Sequence, residues 1–190
     1  MYEAIGVVEI ASIAWGVEAA DAMAKVAPVD FVDTVMVTPG KYVVIVHGDP
    51  SSVDSSVARG REVAGDQVVD WLLIPFIHPQ VYPAIRNESA CEHIEALGLV
   101  ETASVATGIV AADRAAKAAA VQLVQLHLAR GIGGKSILTL TGELPEVEAA
   151  VEAGKADAEA AGKLVATRII ANPHADLAQR LLQSVHKPPA

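Results

Sequence analysis

The chain has 190 residues, enough for one ordinary domain or two small ones sharing a seam. Its 14 Lys and Arg against 23 Asp and Glu leave a net charge of −9, which argues against the basic footprint that nucleic-acid binding requires. Apolar residues reach 52% and mean hydropathy +0.38, yet no run attains the roughly 18 charge-free residues of a spanning helix, so the excess predicts extensive buried contact between subunits.

Read in chain order, residues 4–10 are apolar and β-branched, a buried strand. Residues 12–26 carry apolar side chains at helical spacing with the good helix formers Ala19, Ala20 and Ala24. Residues 31–37 and 42–47 predict two strands around the turn Thr38-Pro39-Gly40-Lys41. A second helix is expected over 51–64, with Ser51 as its cap. A fourth strand follows at 68–74 and a short closing helix at 78–85. The order is β-α-β-β-α-β-α, and a sheet with helices on one face is the natural way to bury it.

The chain then repeats itself. G-V-V-E-I-A-S-I-A-W-G from Gly6 returns as G-L-V-E-T-A-S-V-A-T-G from Gly98, and Asp21-Ala22-Met23-Ala24-Lys25 as Asp113-Arg114-Ala115-Ala116-Lys117. Gly40-Lys41 matches Gly134-Lys135, Gly48-Asp49 matches Gly142-Glu143, and His78 matches His174. Two copies of one fold are expected, at 1–86 and 97–186, with a polar linker at 87–96 and a frayed tail at 187–190. The lone Cys91 excludes an internal disulfide framework and a multi-cysteine metal site within one chain. The first residues lack a basic stretch and Glu9 interrupts the first apolar run, so no secretory signal is expected and a reducing, cytoplasmic setting is the default.

In this order, the motifs above, with A-A-D-R-A-A-K, G-I-G-G-K, Ile77-His78-Pro79 and Asn172-Pro173-His174, resemble the bacterial microcompartment (BMC) shell proteins of the tandem-domain trimeric class (BMC-T). The resemblance covers nearly the whole chain. It implies an α/β (α+β) fold of two ferredoxin-like BMC domains, and a homotrimer shaped like a hexamer that tiles edge to edge with other shell proteins. The implied role is structural, with no catalysis, no nucleic-acid partner and no membrane. The implied location is the microcompartment shell in the cytoplasm. The turns at Thr38, Pro39, Gly40 and at Ile132, Gly133, Gly134 would line a central pore for small metabolites. Lys41, Arg130 and Lys135 would favour anions if they face that channel. Lys25 and Lys117 match the family's tile-edge lysine, with Asn172 and His174 nearby. Asn172 replaces the family's edge arginine and Phe76 stands at the same place in the first copy, two departures that put the usual edge hydrogen bonds in doubt. In a close relative a cysteine at the first turn holds an iron–sulfur cluster; Thr38 stands there, so no metal or cofactor is expected.

Other readings are weaker on the residues. Gly131-Ile132-Gly133-Gly134-Lys135-Ser136 ends like a phosphate-binding loop, but Ala129 replaces its first glycine and a strand is expected where that loop needs a helix. His78 and His174 read as capping or packing groups, and Cys91 with His93 as two exposed linker side chains. Glu9 and Glu101 are expected to accept backbone hydrogen bonds at a subunit seam. The alternative to a tile is a trimeric small-molecule-binding regulator or enzyme using clefts between the copies.

Overall fold

The computed structural model describes residues 4–185, so the expected tail at 187–190 lies outside the described residues. The chain forms two compact units. The first holds the chain up to Ile77 together with Ser104–Ala106 and Ala129–Gly134; the second holds His78–Ala103, Thr107–Leu128 and the chain from Lys135 onward. None of the described helices is long and apolar enough to cross a membrane.

The first unit contains β1 (Ala4–Ile10), α1 (Ile13–Val26), β2 (Asp30–Val37), β3 (Lys41–Gly48), α2 (Pro50–Ala64), a 3₁₀ turn at Gly65–Gln67 and β4 (Val68–Ile74). Its antiparallel sheet runs β2-β3-β1-β4, and all seven residues of the central strand β1 are buried. Ala4, Val8 and Ile10 share one core with Ala19, Ala20 and Met23 of α1 and Val53 and Val57 of α2. Gly6 lets α2 approach the strand: a Cβ there would stand 2.8 Å from Val53 Cγ1. The expected spans 4–10 and 68–74 are reproduced at both ends. The cap of α2 is a correction. Helix α2 begins at Pro50, and Asp49 caps it, its Oδ1 accepting from Ser51 N at 3.0 Å and Ser52 N at 3.1 Å. Proline is favourable at a first helical position, which moves the cap one residue before it.

The second unit contains α3 (Val81–Arg86), β5 (Ala96–Thr102), α4 (Val105–Ala118) from Thr107 onward, β6 (Gln122–Leu128), β7 (Ser136–Gly142), α5 (Leu144–Ala160), β8 (Leu164–Ile170) and α6 (Ala175–Val185). Its sheet runs β6-β7-β5-β8, and the repeat holds to the register. Ala4 pairs with Gly48 and Ala96 with Gly142; the bulge between Glu9 and Ile10 recurs between Glu101 and Thr102. Helix α3, from the first copy of the sequence, packs on β6. Gln80 joins the two, its Nε2 donating to Val121 O at 3.1 Å and its Oε1 accepting from Leu123 N at 2.8 Å.

Cys91 departs from its expected exposure. It is 1% exposed, packed with Val124 and Leu182, and its Sγ donates to His93 O at 3.2 Å. Small and weakly polar, a thiol behaves as a core hydrophobe. Burial raises its pKa, so it is a poor thiolate. His93 is exposed as expected.

Candidate functional site

The two expected pore turns meet within the first unit. Gly40 N closes the first on Val37 O at 2.8 Å, and Ile132 N closes the second on Ala129 O at 3.4 Å. Gly134 is buried with φ of +81°, and a Cβ on it would lie 3.2 Å from Thr38 O and 3.4 Å from Lys41 Nζ. Glycine satisfies both the left-handed backbone and the close approach there. Thr38, Pro39 and Gly133 are exposed at the tips, while Gly40 and Ile132 are half-buried.

The basic residues near these turns are engaged by acids. Arg130 donates to Asp33 at 2.6 Å, tying the second turn to β2. Lys41 Nζ stands 3.7 Å from Glu9 Oε2, and Lys135 Nζ stands 2.5 Å from Glu101 Oε1. Each positive charge is thereby offset locally, which weakens the expected pull on anions.

Glu9 and Glu101 differ in surroundings. Glu9 is fully buried in the first unit, where its Oε1 accepts the Ala106 N–H at 2.8 Å. Burial raises its pKa, opposed by that backbone donor and by Lys41. Nearby, Ser104 Oγ donates to Asp70 Oδ2 at 2.6 Å. Thus Glu9 accepts a backbone bond as expected. Glu101 instead pairs with Lys135, and its side chain is 29% exposed.

Lys25 and Lys117 occupy equivalent places in the last turns of α1 and α4, where a positive charge suits the helix dipole. Lys25 pairs with Asp21 at 2.5 Å and Lys117 with Asp113 at 2.6 Å. Lys25 borders an open cleft of about 380 Å³ with Glu18, Arg59 and Val63. Asn172 and His174 are exposed just before α6, and Phe76 is 56% exposed. Both His78 and His174 cap, as expected: Nδ1 accepts from Gln80 N at 3.4 Å and from Asp176 N at 3.3 Å. Sequence reading missed that the backbone N–H of His78 donates to Asp113 Oδ1 at 2.7 Å. The recurrence of both residue types in each copy was its available signal.

Ser136 opens β7 directly after Lys135, so no helix N-terminus follows the glycine-rich turn, and the phosphate-loop reading fails as expected. A thiolate-bound cluster does not fit the first turn, where Thr38 offers a hydroxyl and Cys91 lies buried elsewhere. Among the described residues no three His, Cys, Asp or Glu side chains gather to hold a metal ion.

The BMC domain model matches residues 4–77 and 96–173. The chain is 41% identical over 183 residues to the bacterial microcompartment shell protein PduT of Citrobacter freundii, covering 96% of this chain and all of that protein. Over 84 residues it is 38% identical to the shell protein EutM of Salmonella typhimurium, covering 44% of this chain and 85% of the relative. In structure it is similar to a microcompartment protein from Desulfitobacterium hafniense DCB, with a TM-score of 0.88 and 47% identity over 94% of this chain and 99% of that one. Two matched domains, a duplicated register and a full-length relative lead to one conclusion: the chain belongs to the BMC-domain family of bacterial microcompartment shell proteins, with the domain present twice in tandem.

Proposed function

We propose that the chain is a homotrimeric, pseudohexagonal tile of a cytoplasmic bacterial microcompartment shell, acting without catalysis. Each chain brings BMC domains at 1–86 and 97–186 joined by the linker 87–96. Three chains, each with two equivalent domains, close a ring that imitates sixfold symmetry. Thr38, Pro39, Gly40, Ile132, Gly133 and Gly134 line its central pore.

The approach of Gly134 to Thr38 carries this reading, because it sets the hairpin turns of the two copies side by side. Backbone groups and small side chains then line the channel, and the paired Lys41, Arg130 and Lys135 add little net charge. The pore passes small polar metabolites and, with Thr38 at the turn, holds no iron–sulfur cluster. Lys25, Lys117, Asn172 and His174 face neighbouring shell proteins at the tile edge.

Native mass spectrometry and electron microscopy of the purified chain test the reading. The expected result is a three-chain mass and hexagonally packed sheets, with sheets lost and trimers kept in the Lys25→Ala, Lys117→Ala double variant. A chain that stays monomeric at micromolar concentration, or a discrete oligomer that never forms sheets, contradicts it.

A further inference from the structure

The repeat allows each position of one copy to be compared with its partner in the other, and the comparison isolates two uncovered surfaces. In the first turns of α1, Ile13, Trp15 and Val17 are 38%, 46% and 53% exposed. Their counterparts in α4, Val105, Thr107 and Ile109, are 0%, 8% and 0% exposed. On β2, Phe31 is 43% exposed where its counterpart Leu123 is 1% exposed. The reverse holds for the elements that follow. Glu9 is fully buried but Glu101 is not, and Val81 of α3 is 0% exposed where Leu177 of α6 is 43% exposed.

Polar groups divide the same way. Glu9 accepts from Ala106 N within the first unit, and Asp113 accepts from His78 N within the second. The matching acceptors are Glu101 and Asp21, and the matching donors are Ala14 N and His174 N. Ser12 makes no side-chain capping bond, and among the described residues no acceptor meets the Ala14 N–H. Leaving several large apolar side chains and a helix N–H uncovered is costly, and the covered copy displays the complementary chemistry that would cover them.

We propose that these surfaces bind head to tail between two copies of this chain: Glu101 of one copy accepts the Ala14 N–H of the next, and Asp21 of that next copy accepts the His174 N–H of the first. The seam also buries Trp15 against the β5–β8 face and Phe31 against α6. Such a heterologous contact uses two different patches and closes into a ring. The inference deepens the tile reading by naming the contacts that close its ring. It also predicts an asymmetry between the two kinds of seam. The bond from Ser104 to Asp70 has no copy between chains, because Ala166 occupies the place of Asp70.

The test is full-length protein carrying Trp15→p-benzoylphenylalanine, irradiated as a mixture of isotopically light and heavy chains, with cross-linked peptides identified by mass spectrometry. The expected products join Trp15's position to 96–102 or 164–170 of another chain. In parallel, Glu101→Ala should raise the concentration for half-dissociation about 10-fold or more, with an unchanged circular dichroism spectrum. Interchain products only to other segments, or no interchain product in a protein of three-chain mass, overturn the seam and leave the trimer standing. The expected cross-links in an assembly of any other chain number support the seam and overturn the trimer. A single-chain mass overturns both.

Discussion

Glu9 concentrates the chemistry of the first unit in one carboxylate. Its Oε1 accepts the Ala106 N–H and its Oε2 has Lys41 at 3.7 Å, while burial raises its pKa from 4.5. Because the folded pKa lies above the unfolded one, the folded state holds more protons from about pH 4.5 upward through the raised value. Stability from this group is therefore present at low pH and declines as pH rises through that window. Glu9→Gln, which keeps an acceptor and removes the charge, should flatten that part of a urea-midpoint profile. Glu9→Ala should destabilise by about 1–3 kcal/mol by stranding the buried N–H. Asp49 has the opposite sign. Hydrogen bonds from Ser51 and Ser52 lower its pKa from 3.8 to about 2. Its contribution is complete above the ordinary value and lost as pH falls toward 2, so Asp49→Asn, which keeps the cap, should remove that acid slope.

At the scale of elements, the closest contact between strand and helix in the second unit is at Gly98. A Cβ there would stand 2.6 Å from Leu140 Cδ1 and 2.9 Å from both Val147 Cγ1 and Val151 Cγ2. Gly98→Ala should lower stability by about 1–3 kcal/mol through overpacking, read as a fall in the urea midpoint with an unchanged slope. The elements were legible where local chemistry decides them. The apolar runs 4–10 and 68–74 ended where β1 and β4 end, and Gly6 with Gly98 announced the repeat down to its bulges. Reading fell short where a contact distant in sequence decides. The burial of Cys91 depends on Val124 and Leu182, and the neutralisation of Arg130 depends on Asp33, 97 residues away. At Asp49 the miss was local: Ser51 is a good cap by type, but Pro50 takes the first helical position and transfers the role.

For the molecule as a whole, duplication explains why a chain with 52% apolar residues leaves Trp15, Phe31 and Met36 exposed. The equivalent positions of the second copy are largely covered within the chain, so the first copy's surfaces are left for another chain. A cryo-EM reconstruction of the assembled protein tests this account most directly. The predicted map has three chains around one axis, with Thr38–Gly40 and Ile132–Gly134 from every chain gathered at its centre. A map with those turns on the outer rim, or without threefold symmetry, would contradict it.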